Sequence, residues 1–176
     1  MPFHNNGKGI LIEMHSREKV YIPEPIFGDL LSSSNYVENE KKLAGSCNGY
    51  SAKLANVYSL EFVLETADKN TQQKYKQTWT DNMSACGKAK ITKNSRGEEH
   101  TRVTSKPDFK WFKMEKIGDD MVSLLWKRVY DMAGTVKGVK VYLNDEKLKI
   151  KGFKQYVELY LSSVLAEVAE NSGGTA

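Results

Sequence analysis

Two glycine-bearing stretches, Asn5-Asn6-Gly7-Lys8-Gly9 and Asn48-Gly49-Tyr50-Ser51-Ala52-Lys53, decide how this chain is read. Between them runs Ser32-Ser33-Ser34-Asn35-Tyr36, followed by a charged segment from Glu38 to Lys42. Taken singly, a GxG or an NGY marks an ordinary turn. Taken in order, they supply what a polyphosphate needs. Gly7 and Gly9 offer turns of positive φ with no Cβ in the way. Successive N–H groups at the start of a helix capped by Asn48 would meet an anion along the helix dipole. Lys53, one turn into that helix, adds a cation, and Ser33, Ser34 and Asn35 add short hydrogen-bonding side chains. These residues alone leave two readings open, a phosphate cradle and a plain capped helix.

Apolar spacing extends the reading outward. Met1 to Asn5 is too short for a full strand and runs straight into the glycine turn. Ile26, Phe27, Leu30 and Leu31 predict a short helix over Pro23–Leu31, and 32–46 reads as a polar surface loop. Tyr50, Leu54 and Val57 recur at helical spacing over Asn48–Tyr58. Glu61–Thr66 and Lys74–Trp79 are predicted strands joined by a turn over Asp68–Gln73. Ala89–Lys93 and Thr101–Lys106 are expected to form a second strand pair around Asn94–Gly97. Val122, Leu125, Val129 and Met132 mark an amphipathic helix ended by Gly134. Lys137–Leu143 and Glu146–Ile150 flank the turn Asn144-Asp145. A last helix carries Phe153, Tyr156, Val157, Tyr160, Leu161 and Val164, and Asn171–Ala176 is a tail expected to be flexible. Helices and strand pairs mix without βαβ regularity, which predicts an α+β fold on a largely antiparallel sheet. No internal repeat is present.

Composition narrows the class. A chain of 176 residues, 40% hydrophobic and 27% charged, can bury one sizeable core. Lys and Arg number 26 against 22 Asp and Glu, a formal +4 that permits nucleic-acid contact without arguing for it. The lysines from Lys137 to Lys154 read as a solvated face, and Trp79, Trp111 and Trp126 as packing residues rather than base-stacking platforms. Cys47 and Cys86 lack metal-ligand spacing, and His4, His15 and His100 are scattered, so no metal ligands are expected. Cys47, near Lys53 and a helix start, is the thiol whose pKa would fall. No apolar leader or long apolar run is seen, so an intracellular protein with no membrane span is expected.

The ordered set resembles the nucleotide pocket of the eukaryotic type II DNA topoisomerase ATPase, a member of the GHKL (Bergerat-fold) family. Matching runs include Asn5–Ile10, Val20–Glu24, Ile26–Gly28, Ser33–Tyr36, Glu40–Lys42, Asn48–Tyr50, Ala52–Leu54, Glu65–Ala67, Trp79–Met83, Arg128–Asp131, Val139–Asn144 and Tyr156–Tyr160. The resemblance implies a two-layer α/β sandwich on a largely antiparallel mixed sheet, with ATP and Mg²⁺ as ligands. It puts Asn5 against adenine, with Gly7 and Gly9 in the same turn, and Ser33, Ser34 and Asn35 toward the sugar and phosphates. Ser46, Cys47, Asn48, Gly49, Tyr50, Ser51, Ala52 and Lys53 would wrap the triphosphate, and the loop from the serines to this segment would be an ATP lid. Residues 1–168 would form a partial GHKL domain and 169–176 the tail.

The departures are as specific as the matches. The family segment reads GGRNGYGAK, whereas here Ser46 and Ser51 stand at glycines and Cys47 at the arginine. A serine held at positive φ costs about 1–2 kcal/mol, and losing the arginine removes a charge-assisted donor. Asp29 stands where the family has His or Gln, the acidic run reads Val37-Glu38-Asn39, and Leu11 and Pro25 are further changes. The helix bearing the family's catalytic glutamate and Mg²⁺-binding asparagine is expected to be missing, with the strand before it. The transducer lysine and the DNA-cleaving tyrosine region are expected to be missing as well. No catalytic residue is assigned, and efficient hydrolysis by this chain alone is not expected. The resemblance implies a nuclear protein that meets DNA only in the family's full-length context. Homodimerisation or pairing with a full-length topoisomerase would follow, as would self-association through uncovered apolar surface. The rival expectations are a non-catalytic regulatory or interaction module, or a decayed duplicate without ligand.

Overall fold

β2 (Ser59–Asp68) is the strand around which the sheet is organised, because its inward residues Phe62, Leu64 and Thr66 are all buried. A strand this deep needs partners on both sides. It takes β3 (Gln73–Thr80) on one and β6 (His100–Pro107) on the other, both antiparallel. β1 (Pro2–Asn5) continues beyond β6, while β4 (Ala85–Cys86) and β5 (Lys90–Lys93) pair with the far side of β3. The computed structural model describes residues 1–16, 18–29 and 50–172, the side chains of 166–172 excepted. The chain divides into two units, Met1–Met114 and Glu115–Ala176.

Two sequence expectations change here. Met1–Asn5 is a strand after all, four residues held by pairing Pro2 to Thr104 through Asn5 to Thr101. The second strand pair does not form: β5 pairs with β3 and β6 with β2, since the two sides of β2 and β3 were still to be filled. The Asn94–Gly97 turn stitches instead of folding a hairpin. Asn94 Nδ2 donates to the Glu98 and Asp68 carbonyls at 2.8 and 3.3 Å, and Gly97 takes a φ of +62°.

The core of the first unit lies on one sheet face. Phe62, Leu64, Tyr75 and Trp79 are at most 2% exposed and meet Ile12 and Phe27 there. Burying each such side chain contributes about 1.5–3 kcal/mol. Two short helices close this face: α1 (Pro23–Gly28), with Pro at its first position, and α2 (Tyr50–Val57). Phe27 packs at 5.9 Å from the Phe62 ring and Phe62 at 6.0 Å from Trp79. Gly28 lies so close that a Cβ would sit 3.0 Å from Trp79 Nε1.

In the second unit, α3 (Asp119–Thr135) and α4 (Phe153–Ser172) flank the hairpin β7 (Tyr142–Leu143) and β8 (Glu146–Lys147). Asn144 and Asp145 both take positive φ, the geometry a two-residue hairpin turn requires. Gly134 does not end α3. It lies inside the last turn, where a Cβ would come within 2.4 Å of Tyr156 Cγ, so the glycine allows α3 and α4 to touch. Tyr156 donates a 2.5 Å hydrogen bond to Asp131, which Lys127 also grips at 3.0 Å. α4 is helical through Ser172.

Of the three tryptophans only Trp79 is core. Trp111 is 65% and Trp126 48% exposed, so neither is a core residue, although Trp111 packs edge-on against Tyr58 at 6.2 Å. The lysines from Lys137 to Lys154 are exposed, as a solvated face requires.

Candidate functional site

The turn after β1 is built by two contacts. Gly7 N–H donates to Asn5 Oδ1 at 3.1 Å, folding the segment back on itself. Ile10 N–H then donates to Thr66 Oγ1 at 3.0 Å, pinning the turn to the middle of β2. Neither glycine takes a positive φ, which among the described glycines is confined to Gly97 and Gly138. The expected left-handed turns are therefore absent. Gly9 is required for a different reason: a Cβ there would stand 1.8 Å from the Ala67 carbonyl oxygen. Gly7 has room, with nothing nearer than Asn5 Oδ1 at 3.4 Å.

This turn opens beside a polar row on the core face. Asn5 pairs with Thr101, and Thr101 with Thr66, so the three side chains lie across three adjacent strands. Thr66 donates to the His100 carbonyl at 2.9 Å and meets Thr101 Oγ1 at 3.1 Å. Thr66 went unassigned in the sequence reading. Its signal is a hydroxyl at an inward position following the apolar Phe62 and Leu64.

Asp68 closes the same strand, 1% exposed. Burial works against its charge. Hydrogen bonds from Asn70 N–H at 2.9 Å and from Thr71 by hydroxyl and N–H, with a further one from Ile12 N–H, overcome that and hold the carboxyl below the ordinary range.

α2 is turned opposite to the apolar-periodicity reading. Tyr50 and Leu54 are exposed, and the buried positions are Lys53 and Asn56. The helix packs over β2 and β6 and against α1, with Ala52 against the core. Asn56 Nδ2 donates to the Phe27 carbonyl at 3.0 Å, while its buried Oδ1 has no hydrogen-bond partner. Lys53 is 1% exposed; burial lowers its pKa below the ordinary lysine value and the nearby Asp29 carboxylate pulls it back up. A lysine and an asparagine buried together on one short helix make a polar cell that apolar packing does not explain.

Of the sequence-assigned residues, Asn5, Gly7 and Gly9 lie in β1 and the turn pinned to β2, and Ala52 and Lys53 on the inward side of α2, which packs over β2 and β6, with Tyr50 and Ser51 at its exposed start. Ser33, Ser34, Asn35, Ser46, Cys47, Asn48 and Gly49 lie outside the described residues. Of the cysteines the described one is Cys86, an exposed thiol whose pKa is pushed up by burial of the sulfur and by Glu24 and Asp29. Two cavities lie elsewhere, one of about 420 Å³ beside Glu24, Gln77 and Cys86, the other of about 610 Å³ beside Trp126, Tyr130 and Leu159. Among the described residues no group of three or more His, Cys, Asp and Glu could hold a metal, and no helix is long and apolar enough to cross a membrane.

A mixed α+β fold with two helices over one face of an antiparallel sheet is the arrangement of GHKL ATPase domains. The 43K ATPase domain of Thermus thermophilus gyrase B, solved with an aminocoumarin, has this fold, superposing with a TM-score of 0.59 at 22% identity over 79% of this chain and 32% of its own. Much closer is the ATPase region of Saccharomyces cerevisiae topoisomerase II, with a TM-score of 0.88 and 53% identity over 93% of this chain and 43% of that one. DNA topoisomerase 2 of Meyerozyma guilliermondii is 59% identical over 160 residues, 91% of this chain. The chain belongs to the eukaryotic type II DNA topoisomerase family and corresponds to part of its ATPase region. It spans about 11% of the length of that relative. No protein-family model matches it.

Proposed function

We propose that this chain is a nucleotide-binding module that takes ATP with Mg²⁺ and turns it over poorly on its own. The observation that carries the reading is the inward face of α2, where Lys53 and Asn56 are buried over β2 and β6 in place of apolar residues. In this reading Asn5 offers an amide to the adenine, while Thr66, its hydroxyl already bonded to Ile10, His100 and Thr101, holds the turn in place. The Gly7–Gly9 turn lets the chain approach without side chains. Lys53 neutralises phosphate charge, joined by Tyr50, Ser51 and Ala52 and by the remaining sequence-assigned residues Ser33, Ser34, Asn35 and Ser46 to Gly49. The unpartnered Asn56 Oδ1 gives the cell an acceptor that water or a bound donor would satisfy. Mg²⁺ would enter with the nucleotide and neutralise phosphate charge, as it usually binds through substrate phosphates rather than an all-protein cage.

Poor turnover rests on the requirement that metal, nucleophile and phosphoryl group be positioned together. Glu24 accepts from Gln77 Nε2 at 2.7 Å, and the site as described assigns no carboxylate to orienting water. Strand passage, DNA contact and nuclear residence belong to the full-length family context and are proposed for this chain only there.

The test is equilibrium binding of a fluorescent ATP analogue together with a phosphate-release assay. Saturable binding displaced by ATP, with release near the buffer rate, is expected. Absence of binding to the folded chain would overturn the reading, and sustained turnover would overturn the claim of incompleteness.

A second reading, a module that associates with a like chain, is favoured by one observation. Phe3 on β1 is 55% exposed and Met1 42%, at the end of the core face.

A further inference from the structure

Asp29 departs from the family's His or Gln, and its position gives the departure a consequence. It caps the C-terminus of α1, its N–H donating to the Pro25 carbonyl at 3.3 Å, and it is exposed. A carboxylate at a helix C-terminus meets the negative end of the peptide dipoles, which by itself disfavours a charge there. Two residues earlier, the Phe27 carbonyl is held by Asn56 Nδ2 at 3.0 Å. Lys53 lies three residues before Asn56, on the same buried face of α2. One hydrogen bond therefore brings the end of α1, with its anion, beside the turn of α2 that carries the cation. The effect of Asp29 on Lys53 is felt electrostatically: the carboxylate raises a lysine pKa that burial lowers.

We infer that Asp29 is an internal anion that competes with phosphate for Lys53, and so sets how strongly this site discriminates by ligand charge. The inference rests on the nucleotide reading above. An incoming triphosphate has to displace or tolerate the carboxylate beside its main described cation. Adenosine, with no charge, meets no such opposition. The site is thereby weakened toward ATP without being dismantled, and this share of the weakening resides in one side chain. At an effective dielectric of about 20, like charges several ångströms apart change an affinity by roughly tenfold.

The experiment is calorimetric titration of the full chain with a Mg²⁺-bound non-hydrolysable ATP analogue and, separately, with adenosine. The proteins are the natural chain, Asp29→Asn, Asp29→Gln, Lys53→Met and the double variant Asp29→Asn with Lys53→Met, each checked by circular dichroism. The expected result is an analogue Kd about tenfold lower in both Asp29 variants, a gain that shrinks in high salt and vanishes in the Lys53→Met background. Adenosine binding stays unchanged. An equal analogue Kd in the natural chain and both Asp29 variants would overturn the inference and leave the nucleotide reading standing. Equal tightening of analogue and adenosine would also overturn it, since repacking rather than charge would then be at work. No binding by any folded variant would overturn the nucleotide reading itself.

Discussion

Gly9 and Gly7 stand two residues apart and meet opposite constraints. A Cβ at Gly9 would lie 1.8 Å from the Ala67 oxygen and 2.7 Å from its carbon, both backbone atoms that cannot swing away. Gly9→Ala is expected to cost about 3 kcal/mol, at the upper end of overpacking, and Gly7→Ala less than about 1 kcal/mol. Urea denaturation of the two variants checks this, and equal midpoints would contradict it. Asp68→Ala strips a buried carboxylate from the four donors of Asn70, Thr71 and Ile12 and is expected to cost about 2–4 kcal/mol in the same assay. At this scale the sequence was partly legible. GxG announces a constrained turn, but whether the constraint is φ or a close approach depends on β2, whose arrival beside Gly9 no local pattern encodes. Lys53 was legible as a cation and not as a buried one. Asp29 was legible only as an odd residue.

Elements show the same division between local and long-range information. β2 and β3 were readable because alternation and a polar turn act within one hairpin. β5 and β6 were readable as strands and not as partners, because pairing is decided by which edges the central hairpin leaves open. α2 was readable as a helix while its orientation was misread, since Tyr50 and Leu54 carry the apolar signal and Lys53 and Asn56 face inward. Gly134 reads as a helix stop by rule and serves instead as the contact point for Tyr156. Gly134→Ala is accordingly expected to lower the urea midpoint, and Gly134→Ala combined with Tyr156→Ala to lower it by less than the two single changes added together. Additive effects would contradict the contact. β6 also carries a pH dependence. Burial, and then His4, hold His100 below its ordinary value of 6.5. The unfolded chain takes up the proton first as pH falls, so stability is full above 6.5, declines below it and levels off past the folded pKa. Asp68, also lowered, adds a second decline below its ordinary 3.8. His100→Gln is expected to remove the first decline in a series of urea midpoints against pH and to leave the second.

The whole molecule was the most legible level, since runs matching the type II topoisomerase ATPase are spread along the chain and the yeast ATPase region superposes on 93% of it. What surface remains uncovered was not legible in detail. Met1 and Ser105 exchange both backbone hydrogen bonds, so Phe3 and Asn5 also face β6 and the outward groups of β1 belong to Pro2 and His4. Pro2 has no N–H to offer, which blunts this edge as a template for further pairing. Association is therefore expected through the exposed Phe3 and Met1 side chains rather than through the edge, and Phe3→Ser should shift sedimentation toward monomer. An unchanged distribution would contradict that. The central claim, that the face beneath α2 still holds a nucleotide, is tested most directly by thermal melting with and without Mg²⁺ and a non-hydrolysable ATP analogue. At 100 times its Kd, a ligand that binds only the folded chain adds about 2.7 kcal/mol, a rise of roughly 5–10 °C for a domain of this size. That rise is the predicted result, and a cooperative transition that does not move with saturating analogue would contradict the account.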